Sequence, residues 1–171
     1  MRLYDKASAK LTGRAIPVIT PREKMKVLFV CFANLCRSPL AEVISAMKFP
    51  GRIEAQSAGV SPAPGRPFEE AIDVAKRFYG RDISRHRPRH VLDFPVDDFD
   101  YIIAMDSTVF IRLAKMPEIR EEKLYGWEIA DPAGLGVETY EKVARTIERE
   151  IEKFLDARER DAAEADPSSN P

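Results

Sequence analysis

The stretch from Val27 to Glu42 constrains this chain more than any other. Four apolar residues in a row, Val27-Leu28-Phe29-Val30, run straight into the segment Cys31 to Arg37, which is followed by Ser38-Pro39. An apolar run without polar alternation suits a strand buried on both faces of a parallel sheet. Serine suits a helix N-cap and proline the first helical turn. The stretch therefore reads as strand, loop and helix. A loop feeding a helix N-terminus aims backbone N–H groups and the positive end of the helix dipole at one point, which is a site for an anion, phosphate above all. The same field favours the thiolate of a cysteine at the mouth of the loop, here Cys31. Arg37 adds a planar fork of donors that matches two phosphoryl oxygens at once. The candidate phosphate-binding residues are Phe32, Ala33, Asn34, Leu35, Cys36 and Arg37, with Cys31 as the candidate nucleophile.

The rest of the chain repeats the alternation. Pro39 to about Lys48 has apolar residues at helical spacing, and Ile53 to Ser57 reads as a short strand before a turn at Ser57-Ala58-Gly59. Phe68 to Tyr79 reads as a helix stopped by Gly80. Asp100 to Asp106 reads as a strand, with Ser107 capping a helix to about Lys115, and Lys123 to Tyr125 as a weaker strand. Tyr140, Val143, Ile147, Ile151, Phe154 and Leu155 form one stripe on a final helix. Four strands alternating with helices predict an α/β fold, a four-stranded parallel sheet with helices on both faces. In such folds ligands bind at the carboxyl ends of the strands, where Cys31 falls. The predicted organisation is an N-terminal extension over 1–24, disordered or only partly docked, a domain over 25–157, and a disordered tail over 158–171.

Composition narrows the function. Net charge is −1 and no apolar run approaches a membrane span, so nothing global argues for nucleic acid or membrane partners. Residues 1–24 lack the apolar core of a secretory signal. The chain has two cysteines, both in the loop, which leaves no further cysteine for a structural disulfide and favours a reducing, cytoplasmic setting. The only histidines are His86 and His90, with no Cys/His cluster at metal-binding spacing. No metal or other cofactor is expected.

Cys31-x5-Arg37-Ser38 is the loop signature of cysteine-dependent phosphatases, and the fuller pattern, Cys31-x-x-Asn34-x-Cys36-Arg37-Ser38-Pro39, resembles the low-molecular-weight protein tyrosine phosphatases. The resemblance extends over about residues 25–157. It includes the Ser57-Ala58-Gly59 element, the Ser84-x-His86 segment, the Met105-Asp106 strand end and Asp131-Pro132. It implies the low-molecular-weight phosphatase fold and hydrolysis of phosphotyrosine on protein, or of a related aryl phosphate, through a phosphocysteine. Asp131 would act as general acid and then as base, a role contributing about 10²–10⁴-fold. Ser38 would donate to the sulfur, while Ser57 and His86 would support Asn34. The implied partner is a phosphorylated protein; the oligomeric state is left open.

Three departures from the family pattern bear on activity. Ala33 stands where these loops commonly have glycine, which adds strain if its φ is positive. Ala133 follows Asp131-Pro132 where an aromatic usually packs on the substrate ring, and the loop Ser61 to Pro67 has no tryptophan. Phosphate chemistry is expected to survive with altered selectivity for phosphotyrosine. Two alternatives stay open: a phosphoarginine phosphatase, against which Leu35 counts because that offshoot has threonine there, and a phosphate-binding module with little turnover. Arsenate reduction needs cysteines beyond the loop, and there are none. Cys36 is either a redox partner that protects Cys31 or a packing residue.

Overall fold

The computed structural model describes residues 24–165. Most of the expected extension, 1–23, and the end of the expected tail, 166–171, lie outside the described residues. The strands are β1 (Met25–Cys31), β2 (Ile53–Gly59), β3 (Tyr101–Ala104) and β4 (Leu124–Gly126). The helices are α1 (Arg37–Lys48), α2 (Glu69–Tyr79), α3 (Ser107–Ala114) and α4 (Val137–Glu164). The sheet is parallel throughout, in the order β2-β1-β3-β4. The chain thus leaves β1 to one side and returns to its other side, which makes the carboxyl end of β1 the point where strand order reverses. In open α/β sheets that crevice is where ligands sit.

β1 is apolar on both faces because both are covered. Val27, Phe29 and Cys31 face a core shared with α1, α2 and α4, including Leu40, Ile44, Val74, Tyr140, Ile147 and Leu155. Leu28 and Val30 face a second core with Ile102, Val109, Leu113, Phe94 and Phe99, closed by α3. Burying a large aliphatic or aromatic side chain is worth about 1.5–3 kcal/mol, so the central strand is the most heavily anchored element. That rigidity passes directly to the loop at its end.

Several boundaries differ from the sequence expectation. β2 continues to Gly59 in register with Cys31, so Ser57-Ala58-Gly59 is strand rather than turn. Asp106, not Ser107, caps α3, its carboxylate accepting from the Val109 amide at 2.8 Å. α1 begins at Arg37, so Ser38 lies inside the first turn and caps nothing. α2 stops at Gly80 as expected, with φ +67°. α4 runs to Glu164, through residues expected to open a disordered tail. Those residues have partners: Arg158 lies over the rings of Tyr125 and Phe154, and Glu159 pairs with Arg52. Among the described residues no helix is long and apolar enough to cross a membrane.

Candidate active site

The loop after β1 is held from behind by main chain and from within by one asparagine. The amides of Val60 and Ser61 donate to the carbonyls of Cys31 and Phe32 at 3.1 and 2.9 Å. Asn34 is fully buried and is the one non-glycine residue at positive φ, 58°, among those described. Asparagine is one of the few residues that visits this left-handed region readily. Both lone pairs of its side-chain oxygen and one of its amide protons are taken. Nδ2 donates to Ser38 Oγ at 2.9 Å, while Oδ1 accepts from the Arg89 amide at 3.1 Å and from His86 Nε2 at 3.0 Å. An acceptor on Nε2 fixes the proton there. Burial, aided by Arg89 and Arg87, holds the His86 pKa below its ordinary value, which favours the neutral ring. Ala33 is not at positive φ, so it adds no such strain.

Cys31 is almost wholly buried at the base of the loop. Its sulfur accepts from the Asn34 amide at 3.3 Å and lies 3.0 Å from Ser38 Oγ. The Ser38 hydroxyl also reaches the Ala58 carbonyl at 3.1 Å. One hydroxyl proton thus has two acceptors once the sulfur is a thiolate, and moving it from Ala58 to the sulfur stabilises that charge without moving a heavy atom. Ser57 does not play the part expected of it. Its hydroxyl donates to Glu42 Oε2 at 2.5 Å, and burial raises the Glu42 pKa above its ordinary value despite that bond and nearby Arg89. The Ser57-Ala58-Gly59 strand supports the loop instead through the Ala58 carbonyl.

Arg37 is buried and held on one edge. Nη1 donates to Asp106 Oδ2 at 2.7 Å and to the Ile129 carbonyl at 2.9 Å, using both its protons. Nη2 lies 3.3 Å from Asp131 Oδ2. Nε has no protein acceptor among the described residues, so the Nε/Nη2 edge is the one turned to a ligand. That fork is the geometry suited to two oxygens of one phosphoryl group. Asp131 sits across the same opening, half-exposed rather than buried, with Oδ1 accepting from the Ala133 amide at 3.1 Å.

Cys31, Phe32, Arg37 and Asp131 line one cavity of about 320 Å³ together with Ala33, Leu35, Cys36, Ala63, Phe68 and Ala133. The structure thus brings together all the predicted loop residues on the wall except Ala33's neighbour Asn34, which lies behind it as a buried prop. Cys36 packs against Tyr140, with Sγ 3.5 Å from the phenol oxygen, and burial pushes its thiol up to about 12. It lines the cavity wall beside Cys31.

Sequence reasoning missed four contributors. Asp106 and the Ile129 carbonyl hold Arg37; an acid ending a buried strand beside β1 was a usable signal for the first, and none exists for a carbonyl. Gly59 is required by closeness: a Cβ there would stand 2.7 Å from the Phe32 carbonyl oxygen. Phe68 precedes α2 in extended conformation and lines the cavity, half-exposed. An aromatic at an N-cap, where a small polar residue is favoured, was the available hint. With Phe32 it supplies two aromatic faces where Ala133 supplies none.

A family model described as low molecular weight phosphotyrosine protein phosphatase matches residues 26–164. The low molecular weight protein-tyrosine-phosphatase YfkJ of Bacillus subtilis is 43% identical over 89 residues, 48% of this chain and 57% of that protein. The matched stretch thus spans little more than half of that relative. Among solved structures, the low molecular weight protein tyrosine phosphatase from T. tengcongensis superposes with TM-score 0.71 at 34% identity, covering 78% of this chain and 99% of the other. The YwlE arginine phosphatase from Geobacillus stearothermophilus superposes with TM-score 0.69 at 27% identity, covering 83% and 97%. The sheet order, the loop closed on a buried cysteine and a family match running through nearly every described residue agree, and the chain belongs to the low molecular weight phosphotyrosine protein phosphatase family.

Proposed function

We propose that this chain hydrolyses phosphotyrosine on protein, or a related aryl phosphate monoester, through a phosphocysteine on Cys31, in a reducing cytoplasmic setting that keeps its two free cysteines as thiols. The observation that carries the proposal is convergence. A sulfur contacted by Ser38 Oγ and the Asn34 amide lies in the same cavity as the Arg37 fork and the Asp131 carboxyl.

The chemistry follows from those positions. Cys31 thiolate attacks phosphorus in line, forming an S–P bond as the P–O ester bond breaks. Arg37 and the loop amides hold the equatorial oxygens, whose charge they neutralise. Asp131 gives its proton to the leaving oxygen and then takes one from the water that attacks the phosphocysteine. Phosphate departs and Ser38 donates to the returning thiolate. Phe32 and Phe68 offer faces to an aryl leaving group, with offset or edge packing worth about 0.5–1.5 kcal/mol per pair beyond burial.

Steady-state hydrolysis of an aryl phosphate tests this, with Cys31→Ser as control. Turnover that vanishes in the variant, together with a trapped phosphoenzyme on the native protein, is the expected result. Undiminished turnover in Cys31→Ser would sink it. Phosphoarginine is the second substrate to compare, because a solved neighbour carries that activity in its name. The lining favours the aryl ester. Phe32, Leu35, Ala63, Phe68 and Ala133 are apolar, and Asp131 is the one carboxylate facing the cavity among the described residues, so a guanidinium would find few acceptors.

A further inference from the structure

Arg112 lies in the last turn of α3, the helix whose cap, Asp106, holds Arg37. Its exposed side chain folds back along the surface toward the loop. The guanidinium lies over the ring of Phe32, 4.9 Å from the centroid, and Phe32 in turn lines the cavity that contains Cys31. Arg112 is exposed, and its partner among the described residues is the Phe32 ring rather than a carboxylate. The cations carried by the loop and by the segments packed around it are committed. Arg37 is paired with Asp106 and Asp131, and Arg66 with Glu69. Arg89 lies 4.0 Å from the Phe94 centroid and reaches Gln56. Arg112 is thus a positive charge oriented by a ring rather than by an anion, standing on the rim of the cavity.

We propose that Arg112 is a specificity-determining residue that reads an acidic side chain next to the phosphotyrosine of a polypeptide substrate. The inference rests on the phosphatase reading above and names which phosphotyrosyl sites it prefers. The geometry supports a short reach. With the substrate ring beside Phe32, an Asp or Glu one or two positions away in an extended peptide lies within roughly 3.4–7 Å along the chain. The Phe32 ring restrains the guanidinium, so less side-chain freedom is lost when it binds a carboxylate. Because the pair is solvent-exposed, the preference is modest, about two- to fivefold, and it fades as salt shortens the screening length.

The test measures kcat/KM on three phosphotyrosyl peptides that differ only in Glu, Gln or Lys beside the phosphotyrosine. The native protein is compared with Arg112→Lys, Arg112→Ala and Arg112→Glu at low and high salt. The readout is the ratio between peptides, into which any general change in activity does not enter. The native protein and Arg112→Lys are expected to favour the Glu peptide, Arg112→Ala to show a flattened ranking, and Arg112→Glu to favour the Lys peptide. An identical ranking in the native protein and Arg112→Glu overturns the inference while leaving the phosphatase reading intact. Failure to turn over any peptide or a simple aryl phosphate overturns that reading, and this inference with it.

Discussion

The guanidinium of Arg37 has five donors, and the protein spends three of them before any substrate arrives. Asp106 and the Ile129 carbonyl take both Nη1 protons, and Asp131 takes one from Nη2. This arrangement sets the plane of the fork, because a planar group held at Nη1 can rotate little. Asp106 is therefore a positioning residue. Asp106→Asn keeps an oxygen for the α3 cap but removes the charge from the Arg37 pair. Hydrogen bonds to charged groups are worth about 1.5–3 kcal/mol. kcat/KM on an aryl phosphate is thus expected to fall about tenfold or more, with the melting temperature little changed. An unchanged kcat/KM would reduce Asp106 to a helix cap. The second expectation at this scale concerns Phe68, half-exposed on the cavity wall. Phe68→Ala should raise KM for an aryl phosphate about two- to tenfold, the equivalent of one aromatic pair. The same change should barely alter KM for a small alkyl phosphate, which has no ring to pack; equal effects on the two would deny Phe68 a part in aryl binding.

At the scale of elements, β1 and β2 do more than carry the loop: they clamp it. Their register brings Gly59 level with Cys31, and the loop folds back across that glycine so closely that a methyl group would meet the Phe32 carbonyl at 2.7 Å and the Ala33 and Asn34 main chain at 3.1 Å. Main chain cannot swing aside as a flexible side chain can. Gly59→Ala should therefore cost about 1–3 kcal/mol, the range for overpacking, and lower kcat by displacing the amides that face the phosphoryl oxygens. Denaturant melts alongside aryl phosphate kinetics check both effects, and a variant as stable and active as the native protein would show that the loop can move. This clamp also explains what was legible beforehand. The apolar run of β1, the Cys31-to-Arg37 spacing and the helical stripe of α4 are local patterns, so they could be read along the chain. Gly59 against Phe32, Asp106 against Arg37 and Phe68 on the cavity wall are contacts between segments far apart in sequence. Periodicity carries no trace of them. Ser57 illustrates the converse: the Ser57-Ala58-Gly59 pattern is legible in the sequence, but β2 extends through it, and the Ser57 hydroxyl ends on Glu42 while the adjacent Ala58 carbonyl accepts from Ser38.

The molecule as a whole joins its two cores through the segment from Arg81 to His90, which leaves α2 on one face and meets the other at Val91. That segment is fastened at the site. The Gly59 amide donates to the Arg89 carbonyl at 2.9 Å, and both the Arg89 amide and the His86 ring donate to Asn34. His86 thus links the titration of one ring to the stability of the entire fold. Burial lowers its pKa in the folded state from the ordinary 6.5; the bond to Asn34 opposes that, and nearby Arg89 and Arg87 add to it. Between the folded value and 6.5 the unfolded chain binds the proton and the folded chain does not, so protons favour unfolding. The stability that comes from keeping this ring neutral is therefore full above about pH 6.5 and is lost as pH falls below it. The Nε2 proton that Asn34 accepts is present in both ring forms, so the penalty comes from charge in a buried, arginine-flanked place and not from a broken bond. His86→Gln can still donate to Asn34 and does not titrate. The native protein should lose melting temperature more steeply between pH 7.5 and 5.5 than His86→Gln does, while carboxylates protonating at lower pH affect both alike. Parallel curves over that interval would mean that the ring is accommodated as readily with its second proton as without it.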